Sequence, residues 1–502
     1  MSFEPEYTKI NLNSKKGCLC EQIKVDAKTD ILCEDISSVL SVSAFSTVMD
    51  SQTENGEVSY GGRVIFYVSY VSVDGTLKKC ECGAEFKGKI KEPRAEQAHA
   101  FITTKTVKTE TELSGVRLSV SAYVDVCVEL SGTLSVDALA GGENLIVNAG
   151  EINYHKGYGK KSLIFPVEEE FELNYPVEEV LNHRAEAIIT TVQCGVNCII
   201  VDGEVILSAI MLQKNGRSDI IKEIKTLPFR AEIECEDAMP NMQAQARVVE
   251  RSLKTDISVD EEKGKSVVLA SVSLMFEGEA FADCQVAVAT DAFSTEQEVE
   301  VVKKALPYFR AGELRSTHQT VVGRCLVSEL PVGAVVLAVG SEQAEILEKR
   351  CGGENTVISG VLSATAYFTS GEGGVFTQKI ETPFECVLDC GFGCDVELDT
   401  VVRAKKAKLK IISLTEVELE TELAFSIYPQ EKQEINLVCE VKPLGEKQKN
   451  NSAVSVYIPL EGEELWSLAK RLNVCPQTLI ETNEDLQFPL TGKERIVVYR
   501  QR

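Results

Sequence analysis

Three segments of this 502-residue chain repeat one pattern at nearly constant spacing. Each segment has a short apolar stretch ending in a leucine, then a glycine that opens a strand-like run, then a phenylalanine. In chain order, these residues are Leu40, Gly62 and Phe86, then Leu181, Gly203 and Phe229, then Leu337, Gly360 and Phe384. The leucine-to-glycine step is 22, 22 and 23 residues, and the glycine-to-phenylalanine step is 24, 26 and 24 residues. This spacing predicts one fold occurring three times.

Each copy then closes with a β-rich segment, at 118–130, 266–276 and 417–427. Apolar residues in the first of these alternate with polar ones, which is the period of a half-buried strand. Glycine-containing turns favour hairpins, and they occur at Asp74-Gly75, Asn215-Gly216 and 371–374. We therefore predict a mainly β protein of three repeated antiparallel β-sandwich-like modules, at 1–134 (with an N-terminal extension), 166–284 and 295–430.

The predicted linkers lie near 135–165 and 285–320, and the second contains one helix-like stretch, 295–306, before Pro307. The repeated glycine and phenylalanine have a structural explanation. A glycine at a strand entry marks a bulge or a close backbone approach, and a phenylalanine in an aromatic-poor domain is a core anchor. Repetition thus indicates a duplicated fold rather than a duplicated active site.

The sequence changes character after a polar linker at 443–451. A strand is predicted at 454–458 and a helix at 462–472, whose apolar residues 465, 468, 469 and 472 share one face. A second helix follows at 476–482, with proline near its start, and a closing strand at 495–499. These elements predict a small βααβ domain at 453–502.

This βααβ segment resembles a LysM domain, and the triplicate upstream resembles the SPOCS domain of spore-forming bacteria. The LysM resemblance rests on Gly462, Leu465-Trp466, Ala469, Leu479-Ile480, Asn483, Pro489 and Ile496-Val497-Val498. The SPOCS resemblance rests on the glycine-opened strands and the Thr-Pro-Phe at 382–384. Together they resemble the SipL-type coat morphogenetic proteins of clostridia. That resemblance implies a protein on the mother-cell side of the forespore surface, where it recruits or tethers the coat basement layer and its ATPase, with other coat proteins as further partners.

LysM domains hold N-acetylglucosamine chains between two loops. By resemblance the groove here comprises Gly462, Glu463, Glu464, Leu465, Pro489, Leu490, Thr491 and Gly492. Glu463-Glu464 replaces the Asp-Thr that usually follows the glycine, and Glu461 adds a third carboxylate. An acidic loop of this kind does not attract anionic wall polymers. Three alternatives stay open: a protein-binding groove, a groove for neutral glycan, and a domain retained for structure.

Composition narrows the function further. The chain has 52 Lys and Arg against 77 Asp and Glu, a net charge of −25, which argues against binding nucleic acid or an anionic membrane. No signal peptide or membrane-spanning apolar run is recognisable, so we expect a cytoplasmic protein. No phosphate-binding loop, nucleophile elbow or paired histidine motif occurs. We therefore expect no enzyme activity, no catalytic residues, no cofactor and no metal.

The 17 cysteines form close sets, namely Cys18/Cys20, Cys80/Cys82, Cys194/Cys198 and Cys386/Cys390/Cys394. None has the C-x₂-C spacing of a zinc knuckle. In a cytosol these thiols are expected to be mostly reduced. They act either as small apolar core residues or as cross-links that form in the mature spore.

The sequence thus favours a non-enzymatic spore coat assembly protein that acts through its LysM-like tail. The alternative is a protein of the cell wall or cortex that binds peptidoglycan or another N-acetylglucosamine glycan.

Overall fold

The computed structural model describes residues 4–95, 98–113, 115–214, 219–260, 264–371, 373–393, 396–447 and 452–499. The predicted Asn215-Gly216 turn, Cys394 and residues 448–451 of the polar linker lie outside these ranges. Among the described helices, none is long and apolar enough to cross a membrane.

The first repeat forms two antiparallel sheets. Its strands are β1 (Glu4–Leu32), β2 (Ile36–Glu54), β3 (Glu57–Ser72), β4 (Leu77–Lys91), β5 (His99–Glu112) and β6 (Arg117–Glu143). A meander sheet has the order β2-β3-β4, and a long sheet has the order β1-β6-β5. One apolar core includes residues from both sheets.

The second repeat has the same plan. Its strands are β7 (Ile146–Leu173), β8 (Val177–Cys194), β9 (Cys198–Gln213), β10 (Ile220–Glu234), β11 (Gln243–Asp260) and β12 (Lys265–Phe293). The meander sheet is β8-β9-β10, and the long sheet has β12 between β7 and β11. The position of β12 corresponds to that of β6.

The third repeat differs only where its first long strand is interrupted. Its strands are β13 (Gln297–Ala311), β14 (Arg315–Leu326), β15 (Val335–Gly352), β16 (Asn355–Thr369), β17 (Val375–Leu388), β18 (Val396–Ser413) and β19 (Glu416–Glu446). Both β13 and β14 pair with β19, as does β18, while β15-β16-β17 form the meander sheet. The prediction of a mainly β protein with several antiparallel sheets is confirmed.

The helix predicted at 295–306 is wrong, because most of that stretch belongs to β13. Its residues pair with β19 over the full length of β13. Val299 and Val301 pack on an apolar cluster in this region, with the spacing of one strand face. Pairing with a long neighbouring strand therefore overrides the local helix propensity. Strands β6, β7, β12, β13 and β14 likewise occupy much of the two stretches predicted as linkers; the domain boundaries themselves stay predictions.

The repeated glycine and phenylalanine face each other in every meander sheet. Gly62 pairs with Phe86, Gly203 with Phe229 and Gly360 with Phe384. A Cβ added at Gly203 would lie 2.5 Å from the ring of Phe229 and 2.2 Å from the Ile188 carbonyl oxygen. In each repeat the phenylalanine side chain therefore packs directly over the glycine backbone, which explains why only glycine fits there.

The repeated leucines mark the place where the three modules meet. Leu40 and Leu181 belong to one apolar cluster, and Leu337 packs against it. In each module the pairing between the first two meander strands skips this leucine, as in a β-bulge. The modules also contact one another cyclically, because β4 meets β8, β10 meets β15, and β17 meets β2. The three repeats thus form a closed ring.

Two polar residues of the second module bridge the other two. Asn182 accepts a hydrogen bond from Ser43 of the first module at 3.0 Å and donates one to Ser341 of the third, also at 3.0 Å. Arg247 likewise pairs with Glu129 of the first module and lies 2.5 Å from Asp399 of the third. Burial opposes the charge of Arg247, but these carboxylates outweigh it and raise its pKa. Polar contacts therefore help to fix the relative placement of the modules.

The modules surround a partly open cavity of about 1130 Å³. Residues of β2, β5, β8, β11, β15 and β18 line it, and each of these strands lies at the edge of its sheet. Side-chain hydroxyls satisfy some of their carbonyls: Thr104 donates to Ser46 O at 2.8 Å, and Ser426 donates to Ile189 O at 3.0 Å. In the ring, these edge strands therefore face the cavity. Exposed on the outside, they could pair with strands of other chains.

Cysteines are distributed between core and surface. Cys194, Cys235, Cys325 and Cys386 are buried, and burial raises the pKa of Cys386 to about 11. These residues fit the prediction of apolar core cysteines. The structure also joins Cys20 and Cys127 by a disulfide between β1 and β6, an exception to the expectation that the thiols are mostly reduced.

The C-terminal segment has the elements β20 (Val454–Tyr457), α1 (Leu465–Leu472), α2 (Pro476–Thr482) and β21 (Ile496–Tyr499). The two strands pair in antiparallel fashion. The segment has its own core, comprising Leu468, Leu472, Leu479, Leu490, Ile496 and Val498. It is called the tail below.

Candidate functional site

Two loops of the tail come together as the groove prediction requires. One loop, 459–464, follows β20, and the other, 488–494, precedes β21. Their backbones are joined by hydrogen bonds from Gly462 N to Leu490 O at 2.7 Å and from Leu490 N to Glu463 O at 3.0 Å. The eight predicted groove residues therefore lie in adjoining segments, while their role as a binding groove stays a prediction.

The two glycines of the predicted groove allow the backbone conformation of its turns. Gly462 has a φ of +79° and Gly492 a φ of +81°, a region that residues with a side chain rarely adopt. A Cβ at Gly492 would also lie 3.2 Å from Glu461 N. Both glycines thus have a structural cause that is independent of any ligand.

The structure corrects the prediction that all three loop carboxylates contribute to an acidic surface. Glu463 is only 8% exposed. It accepts two hydrogen bonds from Arg471, at 2.8 and 2.7 Å, and one from Leu460 N at 2.9 Å. The Arg471 interaction holds the pKa of Glu463 below its usual range. Of the three loop carboxylates, only those of Glu461 and Glu464 are exposed, so the charge that the loop presents is lower than the sequence suggests.

The second loop presents Pro489 and Thr491 to solvent, whereas Leu490 is 2% exposed and belongs to the tail core. Thr491 donates to Glu494 through its backbone N at 2.9 Å and its hydroxyl at 2.8 Å. Backbone and hydroxyl donors lower the pKa of Glu494 to about 2. The exposed Thr491 hydroxyl is therefore held in place by an ionised carboxylate.

Asn483, one of the residues that carry the LysM resemblance, links α2 to β21. Its side-chain amide donates to Val497 O at 2.8 Å and to Leu479 O at 2.9 Å. Its carbonyl oxygen accepts a hydrogen bond from Val497 N at 2.8 Å. The motif asparagine is thus a clip that holds the closing strand against the helix.

The sequence reasoning missed how the tail attaches to the ring. Trp466 donates to Asp291 at 2.8 Å and packs edge-on against Phe293, with ring centroids 5.2 Å apart. Lys470 also bonds Asp291, at 2.7 Å, and Asn473 donates to Thr295 O at 2.7 Å. Although burial of Asp291 acts to raise its pKa, the hydrogen bonds from Lys470 and Trp466 lower it overall.

This attachment has a consequence for partner binding. The face of α1 that carries Trp466 and Lys470 is packed on the end of the second module, as is Asn473 directly after the helix. The exposed parts of the two loops stay accessible. The only sequence signal was a single tryptophan in a chain with 6% aromatic residues. Such a residue is a frequent anchor where two packed surfaces meet.

Within the described ranges, no group of three or more His, Cys, Asp and Glu residues is placed to hold a metal ion.

Comparison with known proteins gives a family match for part of the chain. No curated protein and no solved structure matches the chain significantly. Residues 176–258 match the family described as SipL, SPOCS domain, and this range runs from the start of β8 almost to the end of β11. The second module of this chain therefore carries a SPOCS domain.

Proposed function

We propose that this protein is a non-enzymatic assembly protein of the spore coat, with a LysM-like tail that binds the ATPase of the coat basement layer at the forespore surface. The observation that carries the proposal is the SPOCS domain at 176–258, which supports a role in sporulation. The matched strands β8–β11 have structural counterparts in β2–β5 and β15–β18. This correspondence supports three SPOCS-like modules, of which the second is the one matched.

The βααβ order of the tail supports the LysM interpretation. Its core and the Asn483 clip explain the residues on which that resemblance depends. Packing of α1 on the second module holds the two loops at a defined position on the ring, and such preorganisation reduces the entropy lost on binding. The three modules form a closed ring, so the ring would act as a support for the tail and for further coat proteins.

A protein partner is favoured over an anionic glycan. Leu460, beside the groove, is 64% exposed, and Ile458 is 70% exposed. Exposed apolar side chains bordered by the carboxylates of Glu461 and Glu464 are typical of a protein contact with a basic rim on the partner. Neutral N-acetylglucosamine glycan is the second candidate, because the exposed Thr491 hydroxyl and the loop backbone can bond sugar hydroxyls.

Binding of the purified full-length protein to the coat ATPase tests the proposal. We expect Glu464→Lys combined with Thr491→Arg to weaken binding by tenfold or more, roughly 1.4 kcal/mol. Glu484→Lys, an exposed charge change of the tail outside both loops, is the matched control and should bind like the unaltered protein. Equal binding by both variants contradicts a role for the groove.

Sedimentation with purified peptidoglycan separates the second candidate from the first. The proposal predicts no co-sedimentation above that of an acidic control protein. Retention on peptidoglycan that is lost in the Glu464→Lys, Thr491→Arg variant would establish glycan binding instead.

A further inference from the structure

The two-stranded sheet of the tail has an apolar face that is open to solvent. Alternation along β20 places Val454 and Val456 on the same face, and the residues paired with them are Tyr499 and Val497 of β21. Directly paired residues share a face, so these four side chains form one surface. Val454, Val456 and Tyr499 are each more than half exposed, and Val497 is half-buried.

The opposite face of this sheet packs on the helices. Ile496 and Val498 are buried in the tail core, together with Leu468 of α1 and Leu479 of α2. The tail therefore has a core without the outer face. An exposed face of an antiparallel sheet is commonly polar, so the folding of the tail alone does not account for an apolar one.

The apolar surface continues toward the first groove loop. Ile458, one step of alternation beyond the end of β20, is also exposed. We call Val454, Val456, Ile458, Val497 and Tyr499 the outer patch. With about 100 Å² exposed on each of its larger side chains, the outer patch presents roughly 500 Å², and apolar patches of that size on a monomer are often functional.

The outer patch differs in charge from the rest of the chain. Neither β20 nor β21 contains a charged residue, whereas the whole chain has a net charge of −25. Two copies of so acidic a chain repel each other over most of their surface. At the outer patch, two copies can meet without placing like charges in contact.

We propose that the outer patch is a self-association surface, on which the tail of a second copy of this chain packs face to face. A twofold pair buries the same patch on both copies, so about 1,000 Å² is removed from water, which is the lower limit for a specific interface. Val456 lies near the twofold axis, because it is at the centre of the patch. An interface of this size gives a reversible dimer with a Kd in the micromolar range.

Pairing of the tails goes beyond what the groove binds. The exposed groove residues Glu464 and Thr491 are not members of the outer patch. A dimer therefore carries two grooves on one particle, and attachment through both raises the avidity for an array of partners.

Sedimentation velocity of the purified full-length protein, from low to high micromolar concentration, tests the proposal. We expect the sedimentation coefficient to rise with concentration from that of a monomer toward that of a dimer. Added salt should strengthen the association, because it screens the repulsion between two acidic chains while the apolar contact is retained.

Val456→Glu places a carboxylate at the centre of the patch on both copies and should weaken the dimer by tenfold or more. Val456→Lys should act likewise, but an equimolar mixture of the two variants should regain dimer, because a carboxylate then faces an ammonium group. Leu347→Glu alters an exposed apolar residue of β15 outside the tail and is the matched control, which should associate like the unaltered protein. Unchanged emission of Trp466 verifies that the tail of each variant is folded and attached to the ring.

Three results would overturn the proposal. The first is a protein that stays monomeric at every concentration and at high salt, which would leave the patch to a different protein. The second is association that Val456→Glu leaves unchanged or that Leu347→Glu weakens equally. The third is a mixture of the two Val456 variants that stays monomeric although both have native tryptophan emission. Binding of the coat ATPase by such a monomer would leave the proposed function intact, so the two failures are distinguishable.

Discussion

Replacing Gly203 by alanine tests whether the repeated glycine exists for close packing. The added Cβ would stand 2.2 Å from the Ile188 carbonyl oxygen and 2.5 Å from Phe229 Cζ. Ordinary contacts are about 3.5–4.0 Å, so both groups would have to move by more than 1 Å. The carbonyl belongs to the adjacent strand β8 and cannot rotate away as a side chain could.

The magnitude follows from these two clashes. Overpacking a core costs about 1–3 kcal/mol, and the fixed carbonyl places this case in the upper part of that range. Alanine also restricts the unfolded chain, which returns about 0.4–1 kcal/mol. We therefore expect Gly203→Ala to destabilise its module by about 1.5–2.5 kcal/mol. At about 2–4 °C per kcal/mol for a unit of this size, Tm falls by roughly 3–10 °C.

Thermal unfolding followed by circular dichroism measures the effect, with Gly141→Ala as the matched control. Gly141 also lies in a strand, but a Cβ there meets nothing closer than Glu6 Oε2 at 3.9 Å. The control should stay within about 0.5 kcal/mol of the unaltered protein. If Gly203→Ala also stays within that limit, the packing explanation of the repeat is refuted.

Three further predictions concern the ring and the tail. Arg247→Met leaves two partly buried carboxylates unpaired and should cost about 1–3 kcal/mol in denaturant unfolding; unchanged stability contradicts the bridging role. Asp291→Ala removes the acceptor of Trp466 and should shift tryptophan emission to longer wavelength, whereas Asp202→Ala should not. Burial lowers the pKa of His183 to about 4, so the folded state disfavours its protonation. Stability should therefore be fully present above about pH 6.5 and fall as the pH drops toward 4, by up to about 3 kcal/mol. His183→Phe should make the free energy of unfolding less dependent on pH over this range. An unaltered slope would exclude His183 as the cause of the pH dependence.

Local patterns were enough to predict the repeated β architecture. Leu118, Val120, Ala122, Val124, Val126 and Val128 alternate in sequence, and all six are 0% exposed. Constant spacing likewise identified the repeated glycine and phenylalanine, and the structure adds that the two pair within one meander sheet. Patterns of this kind arise between residues of the same strand or hairpin. They can therefore be recognised in a single sequence.

What the sequence did not predict depends on contacts between distant segments. The ring requires Leu40, Leu181 and Leu337 to meet, and no local pattern specifies how modules pack. Charge counting misjudged Glu463, since its partner Arg471 lies eight residues away in α1 and is brought to it only when the helix forms. The attachment of Trp466 to Asp291 joins residues 175 positions apart. Strand β13 was mistaken for a helix for the same reason, since its partner strand lies more than 100 residues away.

Localisation during sporulation tests the proposed function most directly. A fluorescent fusion of the full-length chain is imaged in sporulating cells, together with the Glu464→Lys, Thr491→Arg variant. The account predicts a ring of signal around the forespore that becomes diffuse in the mother cell for the variant. A signal on the wall of vegetative cells, or a diffuse signal for the unaltered protein throughout sporulation, would contradict it.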